Sequence, residues 1–233
     1  MSNSILSSSE RRSFLTRMNK GLASFAAMAG VAMAQQKPSG GSVRFEPARH
    51  EKDDWLDQIP GKHRLVFDCP TPDALGDALA FTGNFIRTNK SDYGLEANEL
   101  AIVIIARHRA TPFGYTDAMW AKYGRPLAER AHTEDPHSKL APKLNLFNSP
   151  AYGEALPNRA STIEALAKQG VQFGVCGVSS RGYAGVVAEA VGGSADAIFK
   201  ELTSNLITNG RIVPAGIVAV ARAQERGYAI VCS

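Results

Sequence analysis

From residue 63 to the C-terminus, short unbroken apolar runs alternate with stretches where apolar residues recur every three or four positions. The runs are Leu65-Val66-Phe67, Leu100 to Ala106, Val171 to Cys176, Ile212-Val213 and Tyr228 to Cys232. Each is short and bounded by turn residues, which predicts strands over 64–68, 99–106, 171–176, 211–213 and 228–232. The Leu-Ala-Ile-Val-Ile-Ile-Ala run has no polar member, as in a parallel-sheet strand covered on both faces. Leu75, Leu79, Phe85 and Ile86 predict a helix over 73–89. Further helices are expected over 113–123, over 161–169 with Gly170 at its C′ position, and from Gly216 to Gly227. Residues 178–206 read as helix or loop. Pro126, Pro136, Pro142, Pro150 and Pro157 break the rhythm and predict an irregular insertion over 124–157, with room for one short helix. Strand–helix alternation predicts an α/β domain over 63–233, a three-layer α/β/α fold with a mostly parallel five-stranded sheet.

The first 62 residues follow a different pattern. Arg11-Arg12-Ser13-Phe14-Leu15 precedes a Gly/Ala-rich apolar stretch from Gly21 to Ala34 that ends in Ala32-Met33-Ala34. A basic start, a short apolar stretch and an A-x-A site describe an export signal over 1–34, cleaved after Ala34. The paired arginines resemble the twin-arginine type, although Glu10 and Thr16 depart from its usual pattern. An amphipathic surface helix or an uncleaved anchor is the alternative, but the stretch is short and Gly-rich against the roughly 20 apolar residues of a membrane span. Export implies a periplasmic protein handled by the twin-arginine translocase. Residues 35–62 read as a linker ending in a surface segment anchored by Trp55 and Leu56.

Composition excludes several classes. With 44% hydrophobic and 21% charged residues over 233 positions, the chain is neither disordered, collagen-like nor a disulfide-dense mini-protein. Its formal charge is +4, and residues 1–34 carry +3 of it, so the remainder offers no electrostatic reason to expect nucleic acid.

The stretch Leu166-Ala167-Lys168-Gln169-Gly170-Val171 leads into Val175-Cys176-Gly177, followed by Ile212-Val213-Pro214-Ala215-Gly216-Ile217 and by Arg222 to Ala229. In order and spacing these segments resemble the DsrE/DsrF-like family of small α/β sulfur-relay proteins. Ala101 to His108 fits the family's second strand, which often ends in His-Gly; here Arg109 follows the histidine. The resemblance implies a homo-oligomer, a trimer or hexamer, and a sulfur-carrying cysteine at Cys176. The export signal and the Pro-rich insertion are departures, because the relay members are cytoplasmic.

In an open parallel sheet, ligands bind beyond the carboxyl ends of the strands. Cys69, His108 and Cys176 follow the first three predicted strands, with Arg109, Ser179 and Arg181 in the same loops. Cys176, His108 and Arg181 are therefore the candidate catalytic residues, and Cys69, Arg109 and Ser179 the candidate ligand-binding ones. A thiolate is a good nucleophile and is favoured beside a cation, a role open to Arg181. Against this stands a buried, inert cysteine, the common fate of the residue type and the preferred reading of Cys232. A Cys69–Cys176 disulfide needs Cα atoms within about 7 Å, which sequence does not establish. His108 could act as acid or base, or cap a strand end. His132 and His137 read as solvated surface. The spacings C-x-x-C, H-x-x-x-H and C-x-x-C-H are missing, so no metal or haem cofactor is expected, and without G-x-S-x-G there is no support for a serine hydrolase. Three functions fit: sulfur or thiol-redox handling through Cys176, a non-catalytic oligomeric module that binds a small molecule or metal, and a structural subunit of an exported complex.

Overall fold

The computed structural model describes residues 46–232. The expected export signal over 1–34 and residues 35–45 of the expected linker lie outside the described residues. Five strands form one all-parallel sheet: β1 (His63–Cys69), β2 (Leu100–Ala106), β3 (Gln172–Cys176), β4 (Gly210–Val213) and β5 (Ala229–Cys232), in the order β4-β3-β2-β1-β5. Every residue of β2 is buried, as its polar-free run requires.

The helices are α1 (Trp55–Gln58), α2 (Pro72–Tyr93), α3 (Asp117–Ala131), α4 (Ile163–Ala167), α5 (Gly177–Val191), α6 (Ala195–Ser204) and α7 (Gly216–Gln224). Strand alternation sorts side chains into two cores. Phe67, Ile104 and Val175 face the larger core with residues of α2 to α6, while Val66, Val103 and Val213 face a smaller one with α1 and α7. The three layers follow from connection handedness: β1 to β4 advance in one direction with their helices on one face, and only the return from β4 to β5 places α7 on the other.

Local chemistry sets the helix ends. Thr71 caps α2 by accepting from Ala74 N at 3.2 Å, Pro72 occupies its first turn, and Gly94 ends it in the left-handed region at φ 68°. Thr162 caps α4 in the same way, and Gly170 takes φ 94°, as its expected C′ role demands.

Three expectations need correction. Residues 113–123 are not one helix: a 3₁₀ segment spans His108–Gly114, and α3 starts at Asp117. That helix continues through Pro126 to Ala131, so regular structure enters the expected insertion. The backbone kinks at Tyr123 (φ −123°), which lets the proline ring into the last turns. Finally, the linker is shorter than expected. Trp55, Leu56 and Ile59 are buried in the smaller core, Tyr228 Oη donates to Leu56 O at 2.7 Å, and Arg226 Nε donates to Asp57 Oδ2 at 3.0 Å. The folded unit begins at Pro47.

The rest of the insertion is irregular but pinned. Phe113 packs against Trp120 and Phe147 with ring centroids 5.0 and 4.8 Å apart. Burial of each ring contributes roughly 2–3 kcal/mol, and each ring pair about 1 kcal/mol more. Asn145, fully buried, donates through Nδ2 to Phe113 O and Tyr115 O at 2.7 and 3.0 Å. These contacts fix the segment after β2 against the sheet ends.

Candidate functional site

Cys176 closes β3 and caps α5. Its sulfur accepts N–H bonds from Ser179 at 3.4 Å and from Gly216 at 3.2 Å. One donor belongs to the first turn of α5 and the other to the first residue of α7, so two helix starts converge on one sulfur atom. Ser180 Oγ donates to Cys176 O at 2.9 Å and accepts from Tyr115 Oη at 2.8 Å, which anchors the cap from the larger core. Burial, above all, raises the Tyr115 phenol well above its ordinary value, so it remains a donor. Cys176 is buried, 5% exposed as a residue.

Register places a row of chemistry along the strand ends on the α7 face. Cys232 pairs with Asp68, Arg107 follows β2 on the same face, and Cys176 lies beside it on β3. Arg107 Nε and Nη2 donate to Asp68 Oδ1 and Oδ2 at 2.5 and 2.9 Å. The hydrogen bond donated to Asp68 raises the arginine above its ordinary value against a desolvation cost, with smaller contributions from the Asp68 charge, Cys176 and Cys232. The Arg107 side chain runs over Gly216: a Cβ there would lie 2.5 Å from Arg107 Cβ. Gly216 thus permits the close approach that brings its N–H to the sulfur.

On the opposite side of the α5 start, His108, Arg109, Arg130, His132, Ser179 and Tyr183 line a cleft of about 450 Å³. His108 N donates to Ser179 Oγ at 3.1 Å. Arg109 Nη1 donates to His132 Nδ1 at 3.2 Å, since a guanidinium cannot accept. The Arg130 guanidinium sits 5.1 Å above the Tyr183 ring, whose hydroxyl donates to Arg109 O at 3.4 Å. Burial pushes the Tyr183 phenol upward, opposed by Arg130 and Arg109.

The expected site is therefore assembled in part. His108, Arg109 and Ser179 share the cleft, and Ser179 joins it to Cys176. Arg181 is elsewhere: its guanidinium stacks 4.1 Å from the Phe199 ring centroid on α6, because position 181 lies more than a turn beyond the cap. Arg107 takes the place beside Cys176 that Arg181 was expected to hold. Cys69 is fully buried in the larger core, on the opposite face from Cys176. Strand β2 separates the two cysteines, a distance of two strand spacings or about 9.5 Å, beyond disulfide reach. None of the three cysteines is in a disulfide. Cys232 is exposed rather than packed, because β5 is a short edge strand.

Asp68, Arg107, Gly216, Arg130, His132 and Tyr183 were not anticipated. Arg130 and His132 sit at the end of a helix hidden under the Pro-rich reading. Asp68 was legible only as the polar end of a strand. Among the described residues, no three His, Cys, Asp or Glu side chains gather as a metal cluster.

No family model matches the chain, and no curated protein does. Among solved structures the chain is similar to a protein of unknown function from Methanobacterium thermoautotrophicum, with 16% identity and a TM-score of 0.36, covering 74% of this chain and all of that one.

Proposed function

We propose that the protein handles sulfur through Cys176, as an exported DsrE/DsrF-like chain. The observation that carries this reading is the pair of backbone N–H donors, from Ser179 and Gly216, aimed at the Cys176 sulfur. Donors at helix starts suit negative charge on sulfur as it attacks an electrophile. In this reading a small persulfide R–S–SH is the donor. The Cys176 thiolate attacks its terminal sulfur, the donor S–S bond breaks, and R–S⁻ leaves to take up the proton released by Cys176. The products are a Cys176 persulfide and R–SH, with no external oxidant or reductant consumed. Cys176 is 5% exposed, so in this reading transfer requires the turn from Pro214 to Gly216, which covers the sulfur, to open.

The paired arginines and the A-x-A site support export by the twin-arginine translocase and work in the periplasm. The resemblance supports assembly as a trimer or hexamer.

The test is intact mass spectrometry after incubation with a small thiol persulfide, in a Cys232→Ser background that removes the exposed thiol. A reducible gain of one sulfur atom is expected, lost in Cys176→Ser. A gain that persists in Cys176→Ser, or no gain at all, overturns the reading.

A further inference from the structure

The cleft beside α5 gathers two guanidinium groups and two imidazoles, and no carboxylate lines it. Among the described residues neither Arg109 nor Arg130 has an acidic partner. The acidic residues closest in sequence are engaged elsewhere, Glu129 by Arg125 at 2.8 Å and Glu134 by Lys139 at 3.3 Å. Cations held together in a concave surface without counter-charge repel one another, and they focus a field that draws anions.

The donors are also held in place. Arg130 is seated over the Tyr183 ring, and the Tyr183 hydroxyl reaches the carbonyl of Arg109. The bond from Arg109 to His132 Nδ1 leaves the His132 proton on Nε2, a further donor. Arg109 Nε is shielded from solvent and has no acceptor among the described residues. His108 and His132 both adopt left-handed backbone, at φ 52° and 55°, a conformation histidine takes more readily than most non-glycine residues, and His132 does so as the C-cap of α3.

We infer that this cleft binds a small organic anion through a tetrahedral oxyanion of the phosphate or sulfate type. Arginine forks match the oxygen geometry of such groups and grip them by paired N–H bonds. A volume of about 450 Å³ falls in the range of small-molecule sites and exceeds the head group alone, so the ligand extends beyond it. Among the described residues lining the cleft, Tyr183 is the one aromatic besides the two imidazoles, which favours a polar ligand body. The cleft adjoins the sulfur site through Ser179, whose N–H reaches the Cys176 sulfur, but its charged groups are Arg109 and Arg130 and Cys176 is not in its lining.

The experiment is calorimetric titration of the purified full-length chain with inorganic phosphate, sulfate and pyrophosphate at constant ionic strength, with chloride as control. Saturable binding of at least one is expected, and the tightest of the three identifies the head group. Arg130→Gln, an exposed position, is expected to weaken binding by tenfold or more. His132→Asn, which tolerates the left-handed backbone, is expected to weaken it several-fold. Cys176→Ser is expected to bind as the parent does, so failure of the sulfur reading leaves this result standing. No saturable heat with any of the three anions, or unchanged affinity in both cleft variants, overturns the inference.

Discussion

Asp68 and Arg107, 39 residues apart in sequence, close a two-pronged ion pair at 2.5 and 2.9 Å across the ends of β1 and β2. The pair lies between the two thiols of the α7 face and holds the Arg107 stem over Gly216, whose N–H reaches Cys176. The Asp68 side chain is 10% exposed and that of Arg107 27%. Asp68→Asn removes the charge and leaves the mostly covered guanidinium without its counter-charge. Breaking a fully buried pair costs about 3–5 kcal/mol; the water still touching Arg107 lowers the expected loss here to about 2 kcal/mol. Urea denaturation checks this. A loss below about 0.5 kcal/mol would mean that solvent already screens the pair.

The three cysteines are expected to differ in reactivity by position alone. Cys232 is exposed on an edge strand, whereas Cys69 and Cys176 are buried. In native protein a maleimide should label Cys232 to completion before either of the others, followed by peptide mapping. Gly216→Ala should change that order. Its new Cβ would sit 2.5 Å from Arg107 Cβ, an atom close to the backbone that cannot swing away. Overpacking of this kind costs about 1–3 kcal/mol. The turn should loosen, its N–H should leave the sulfur, and Cys176 should label faster while Cys69 does not. Equal acceleration of both buried thiols would point to global destabilisation instead.

The layers and the five strands were legible because their signals are local, whereas the order β4-β3-β2-β1-β5 depends on pairing between distant segments. An apolar run with no polar member reads as a doubly covered strand wherever it occurs, and Leu100 to Ala106 is buried throughout. Gly170 and Cys176 sit where their neighbours in sequence placed them. The remainder depends on distant partners. Trp55 becomes core only because Tyr228 and Arg226 return to the same surface some 170 residues later. Pro126 reads as a breaker, yet the kink at Tyr123 absorbs it, and the Arg130 and His132 of the cleft lie beyond that point. Arg181 shows the converse error: proximity in sequence put it beside Cys176, but helical geometry turned it toward Phe199.

Acid sensitivity should concentrate at Asp135. Its carboxylate accepts from Ser138 N and His137 N at 2.8 and 2.9 Å and from the Tyr152 hydroxyl. Chiefly through the Ser138 bond, and then through Tyr152, its pKa falls from 3.8 to about 2. Burial first and Asp135 second push Tyr152 up to about 12, so the phenol stays a donor at neutral pH. Between these two carboxyl values the unfolded chain binds more protons than the folded one. The contribution of Asp135 to stability is therefore complete above pH 3.8 and lost as pH falls toward 2. Asp135→Asn should flatten the fall of the urea midpoint across that window and leave its slope at neutral pH unchanged. A variant that follows the parental curve between those values would show that the carboxylate is ordinary in the folded state.

Gly182 sets stability against recognition. It lies inside α5, where glycine costs roughly 0.5–1 kcal/mol relative to alanine. A Cβ at this position would fall 2.7 Å from Nη2 of Arg130. That contact is with the far end of a flexible side chain, so the guanidinium moves and the backbone does not. Gly182→Ala should therefore raise the melting temperature by about 2 °C, the shift expected for such a gain in a domain of this size. The same change unseats Arg130 from the Tyr183 ring, 5.1 Å away, and withdraws a donor from the cleft. Affinity for the oxyanion should fall while stability rises, a combination that general damage to the fold does not produce. Calorimetry and thermal unfolding on one preparation test both halves. Unchanged affinity in a stabilised variant would mean that Arg130 reaches the ligand from more than one seat, and that the tyrosine does not hold it in place.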